Sequence, residues 1–265
     1  MTRAAPLLRS LAVASAIPLV VVGARFALDA LALSRADALA VDALASATSL
    51  ALLAVAAALL GHAPLAQRLG LAAGRLSRGR IALGALGVVA LSHASEGVLN
   101  WMGAKSAGLA RFDDALGGLP LGRIGFPLLA LALGSACGEE LFFRGFLQRG
   151  LERAAGRVVA IALASAAFGA AHGDLVHGCA AALLGAYLGV LASAAGSIRP
   201  AIAAHAANNA LALLEVAADL RIPDGPIATP ISVSAGIALA CGALALALRA
   251  PRRASVLQSR AGSAE

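Results

Sequence analysis

The stretch IGFPLLALALGSACGEELFFRGFL (124–147) decides the fold class. It opens with an apolar run long enough to enter the ~30 Å hydrocarbon layer of a bilayer as a helix. Two adjacent glutamates and an arginine, Glu139, Glu140 and Arg144, then fall inside that same run. Working outward, similar apolar blocks recur at about 11–33, 43–61, 81–102, 157–173, 178–196, 199–217 and 229–249. The whole chain has 265 residues, of which 60% are hydrophobic and only 13% charged. A soluble domain of this length carries about a quarter charged residues. Ala, Leu, Val and Gly dominate and aromatics are 3%, which suits closely packed membrane helices. The expectation is an all-α, polytopic membrane bundle of about eight transmembrane helices.

The formal charge of +7 raises the question of a polyanionic partner, and its distribution answers it. With both termini placed in the cytoplasm, Arg3, Arg9, Arg68, Arg75, Arg78, Arg80, Arg149, Arg153, Arg157, Arg199, Arg249, Arg252, Arg253 and Arg260 fall on the cytoplasmic side. Arg35, Lys105, Arg111, Arg123 and Arg221 fall opposite. That asymmetry is the positive-inside bias, and it argues against nucleic acid as a partner. Met1–Ala24 has the outline of a signal peptide, but the charge alternation works better with it retained as the first span, where Arg25 and Asp29 form an i,i+4 pair. Cys137, Cys179 and Cys241 lie in three different spans and suggest neither a disulfide framework nor a metal cluster. They read as small buried hydrophobes. One integral-membrane domain over 1–250 and a disordered cytoplasmic tail over 251–265 are expected.

Ionisable groups in hydrocarbon are costly, so each marks a functional hypothesis. Three clusters stand out: Glu139-Glu140-x-x-x-Arg144, Phe168-x-x-x-His172, and His205-x-x-x-Asn209 with Asn208 beside it. Residues four apart meet on one helix face. Glu140 therefore finds Arg144, while Glu139, about 100° around the helix, is left without a local partner. Phe168 is set beside His172, and His205 with Asn209 points into one space. Gly156 is the expected turn between two of these helices, with Glu139 and His172 at nearly equal distances from it. A carboxylate and an imidazole that share a water form a general base. An imidazole and an amide from a third helix can donate to an oxyanion. Glu139, His172 and His205 are also a possible ligand set for a divalent metal such as zinc, although H-E-x-x-H is absent. Spacing alone leaves both chemistries open. His93 and Glu96 read as a local pair, Asp174 and His177 as solvated loop residues, and Trp101 as an interface anchor.

The ordered trio resembles the signature of the CPBP family, which groups CAAX prenyl endopeptidases with bacteriocin-processing and immunity proteins. The resemblance covers about 124–217. It implies an intramembrane endopeptidase acting on a membrane-anchored or lipid-modified peptide, with the bilayer as its surroundings; the compact, alanine-rich composition points to a bacterial inner membrane as the location. It further implies that Glu139 and His172 activate water, that His205 and Asn209 stabilise the oxyanion, and that Glu140, Arg144 and Phe168 hold the site together. A non-catalytic scaffold or immunity protein of the same fold, and a proton-coupled transporter, are the competing readings.

Overall fold

A computed structural model describes residues 33–220 and 228–249. The first expected span with Arg25 and Asp29, and the tail from 250 onward, lie outside these described residues. Nine helices make up the described chain: α1 (Arg35–Leu59), α2 (Leu65–Arg68), α3 (Arg78–Trp101), α4 (Ala107–Leu116), α5 (Gly125–Ala155), α6 (Arg157–Ala170), α7 (Leu175–Ala195), α8 (Arg199–Ala217) and α9 (Ala228–Leu248). No strand occurs among the described residues.

Five of these helices, α1, α3, α5, α7 and α9, are long and apolar enough to cross a membrane. The difference from eight has physical causes. The first expected span is outside the described residues. The segment read as 157–173 is helical only over the 14 residues of α6, about 21 Å at 1.5 Å per residue, which is short of the hydrocarbon thickness. Helix α8 is long enough at 19 residues, but His205, Asn208, Asn209 and Glu215 dilute its apolar character. The span that carries the third polar cluster is thus the one that hydropathy undervalues.

Local chemistry sets the ends of the helices. Ser34 caps α1 by accepting from the Asp37 N–H, and Ser106 caps α4 through the Leu109 N–H at 3.0 Å. Gly156, at φ +81°, makes the single-residue turn between α5 and α6, a left-handed conformation that a side chain would resist. Helix α5 is not uniform: π-type turns over 128–134 and 141–148 flank an α-helical segment at 135–140 that holds both glutamates. Widened turns of this kind are rare and are concentrated at functional sites.

Helix α5 lies at the centre. Helix α1 packs along one side of it, α8 along another, and the α6–α7 hairpin closes a third. Helix α3 backs α7 and α8 and carries α9 on its outer face. Small residues make the crossings close. Gly138 sits against the Ala47 backbone of α1 so tightly that a Cβ there would overlap it. The cysteines differ from the sequence expectation, since Cys179 and Cys241 are exposed on the bundle surface and Cys137 is partly so. In a bilayer that surface meets lipid, where a thiol is as acceptable as in a core.

The tight crossing yields a stability prediction. Gly138→Ala forces α1 away from α5 and should cost about 1–3 kcal/mol, the usual range for overpacking. Gly150→Ala, whose Cβ would meet nothing within 4 Å, serves as the control. Reversible unfolding in mixed micelles measures both, and equal stability of the two variants would mean that α1 is not seated on Gly138.

Candidate active site

The site is built around a buried ion pair. Arg144 Nη1 lies 2.7 Å from Glu140 Oε1, and the two side chains are 1% and 0% exposed. Arg144 Nη2 donates to the Gly185 carbonyl of α7 at 3.0 Å. The guanidinium also lies over the Phe168 ring, its carbon 4.4 Å from the centroid, a cation–π contact that strengthens away from water. Arg144 is therefore held by an anion, a carbonyl and an aromatic face, supplied by α5, α7 and α6.

Glu140 then holds a histidine. His205 Nδ1 is 3.0 Å from Glu140 Oε1. A carboxylate can only accept, so this nitrogen carries the hydrogen and Nε2 is turned to the other glutamate. Glu139 Oε2 is 3.8 Å from that Nε2, which is too long for a hydrogen bond but within reach of a shared water. The Glu139 side chain retains 22% exposure. The adjacent carboxylates thus differ sharply: one is sealed and engaged twice, the other is open and uncommitted.

His172 approaches from the end of α6. It stands in the turn just past Ala170, with Nδ1 donating to the Phe168 carbonyl at 2.8 Å. That bond leaves Nε2 free, and the ring lies within Coulombic range of Glu139. Phe168 joins the two imidazoles, its centroid 4.9 Å from that of His172 and 5.9 Å from that of His205, with both pairs near perpendicular. Phe143 supports it from behind at 5.1 Å. Glu139, His172 and His205 thus surround one region, with Phe168 as the wall between the imidazoles.

Asn209 is placed differently. Its Nδ2 donates to the Leu131 carbonyl of α5 at 3.2 Å, which commits one N–H of the amide and leaves the other. Asn208 is buried at 8% exposure. As for metal, no three His, Cys, Asp or Glu side chains among the described residues come together as a metal-binding group. The donor set as arranged does not fit a closed metal site.

Several residues behave otherwise than their sequence positions suggested. Asp174 is a double cap: Oδ1 accepts from the His177 N–H at 2.9 Å, starting α7, and Oδ2 accepts from the Gly108 N–H at 3.3 Å, at the start of α4. The His177 backbone bond, with further donors from α4, holds the Asp174 carboxyl down to about 2. His177 lies against the rim of the site, its ring centroid 4.6 Å from that of His172. His93 pairs with Glu215 of α8 at 3.0 Å rather than only with Glu96. That cross-helix partner is not signalled by spacing, because it comes from another span.

Leaving Arg144 without its anion carries a predictable cost. Glu140→Gln should lower the stability of the folded protein by about 3–5 kcal/mol, as for other broken buried ion pairs. Solubilised yield and thermal unfolding measure it; a variant as stable as wild type would show that the guanidinium does not depend on this carboxylate.

Residues 123–211 match the family model described as type II CAAX prenyl endopeptidase, Rce1-like. The matched segment contains all three clusters and is consistent with a CPBP-family protease. No curated protein and no solved structure matches the chain.

Proposed function

Starting from an Rce1-like segment whose polar residues surround one region, we propose that the protein is a glutamate-dependent intramembrane endopeptidase. Its substrate is a peptide anchored in the membrane or carrying a lipid. The observation that supports this reading best is the contrast between the glutamates. Glu140 is fully buried and ion-paired, whereas Glu139 is partly open and faces two imidazoles.

In this mechanism Glu139 takes a proton from a water held between its carboxylate and the free Nε2 of His172. The resulting hydroxide adds to the scissile carbonyl carbon, and the carbonyl π electrons move to oxygen. The imidazolium form of His205, which carries a hydrogen on Nε2 as well as on Nδ1, and the uncommitted N–H of Asn209 donate to that oxyanion, the role of preorganised donors in acyl transfer. Collapse of the tetrahedral intermediate expels the amine, which receives the proton held by Glu139. Glu140 and Arg144 take no part in the proton transfers. They hold the His205 ring by its Nδ1–H and so set its orientation and height. A scaffold or immunity role would require none of this geometry, and a transporter would require an open path on both sides.

The division of labour is testable. Glu139→Gln should abolish peptide-bond cleavage while leaving thermal stability within about 1 kcal/mol of wild type, because the lost group is partly exposed and makes no short hydrogen bond. Turnover of purified protein beside its unfolding curve is the measurement. Residual cleavage near the wild-type rate would remove Glu139 as the base.

The arginine distribution supports an orientation with both termini in the cytoplasm. Reporter fusions after Arg75 and at the C-terminus should both read cytoplasmic. A periplasmic signal at either point would overturn this orientation.

A further inference from the structure

The polar row on α5 does not stop at Arg144. Glu140, Arg144, Gln148 and Glu152 follow one another at four-residue intervals, and α7 presents Gly185, Gly189 and Ser193 at the same interval. The two rows are laced together. Arg144 donates to the Gly185 carbonyl at 3.0 Å. Gln148, 2% exposed, turns its amide nitrogen to the Gly189 carbonyl at 3.1 Å, to Ser193 Oγ at 2.9 Å and to Glu152 Oε1 at 3.1 Å. Ser193 Oγ in turn donates to Glu152. Glycine lets the rows approach on the α7 side, since a Cβ at Gly185 would sit 3.0 Å from Arg144 Nη2 and one at Gly189 2.7 Å from Gln148 Oε1, so that these side chains would have to shift.

A small cavity opens between these rows, lined by Arg144, Gln148, Arg149, Glu152, Ser193 and their neighbours. It offers ≈ 10 Å³ to the centre of a water molecule, which is room for about one. Two buried atoms of its lining residues have no protein partner: Gln148 Oε1, an acceptor, and Arg149 Nε, a donor. A neutral ligand that accepts from one and donates to the other satisfies both, and water is the smallest that does.

We propose that this cavity binds one ordered water bridging Arg149 Nε and Gln148 Oε1, and that Gln148 is thereby a positioning residue for the site one turn above it. The transmission is mechanical. Gln148 pins the Gly189 carbonyl, which lies one helical turn from the Gly185 carbonyl that receives Arg144. Arg144 holds Glu140, and Glu140 holds the Nδ1 of His205. The activity arm of the test rests on the proposed protease; the other two arms do not.

The full-length protein is compared with Gln148→Leu, which removes the amide, and Gly189→Ala, which keeps every polar group but crowds Gln148 Oε1. ¹⁵N-labelled histidine reports the His205 ring, assigned by the signal missing from His205→Gln. Both variants should move the His205 ring resonances while leaving those of His62 and His93 in place. They should also lower kcat at least ~10-fold with KM within ~2-fold, the signature of a displaced catalytic group. Unmoved His205 resonances in either folded variant overturn the positioning role, and Gly189→Ala decides alone should Gln148→Leu not fold. Wild-type density at a resolution that resolves ordered water should show one molecule in the cavity, and a dry cavity overturns the binding site. These two readouts stand even if wild type cleaves nothing, which would instead count against the protease.

Discussion

A guanidinium sealed inside a bundle of apolar helices cannot be left alone, because the cost of taking it out of water is several kcal/mol even after relaxation. Arg144, at 1% exposure, imposes that constraint on everything near it. Glu140 neutralises it from the same helix, the Gly185 carbonyl accepts from it across to α7, and the Phe168 ring faces it from α6. Each partner comes at a fixed height on its own helix. Three helices are thereby registered against one another by one side chain. Site geometry and bundle architecture are the same problem here: moving any of these helices along its axis by a turn would strand the charge.

The asymmetry of the glutamates follows from that constraint. Adjacent residues on a helix point about 100° apart, so only one of two neighbours can face Arg144. The one that does becomes structural and presents its oxygen to His205. The other is left open, beside two imidazoles whose Nδ1 hydrogens are already committed to a carboxylate and a carbonyl. Both rings therefore leave Nε2 uncommitted, an arrangement imposed by neighbours rather than chosen by the rings.

Much of this was legible in the chain itself, for reasons that can be stated residue by residue. Apolar blocks of sufficient length marked the helices, and a four-residue interval placed Glu140 on Arg144 and Phe168 beside His172. Helix α4, by contrast, lies in a polar stretch read as connecting chain. Ser106 ahead of an alanine-rich turn was its signal, and the Asp174 cap that anchors it comes from far along the sequence. The hydrogen bond from His205 to Glu140 carries no sequence signal, because periodicity says which residues share a face but not which face of another helix they meet. His93 with Glu215 escaped for the same reason. The Gln148 and Glu152 steps continue the same interval, but Arg149, Arg153 and Arg157 around them give 149–157 the composition of a solvated turn.

The one-residue turn at Gly156 has a bearing on biogenesis. Helix α6, at 14 residues, is too short to cross a bilayer by itself, and the turn joins it to α5 as the return limb of a hairpin. The leading limb, α5, brings its own counter-ion, with Glu140 and Arg144 a turn apart on one helix. The apolar part of that limb, 125–148, therefore presents a neutral pair plus a single carboxylate, Glu139, before α7 or α8 has been synthesised. A cluster of polar groups assembled from several helices is thus made admissible to the membrane by the first of them.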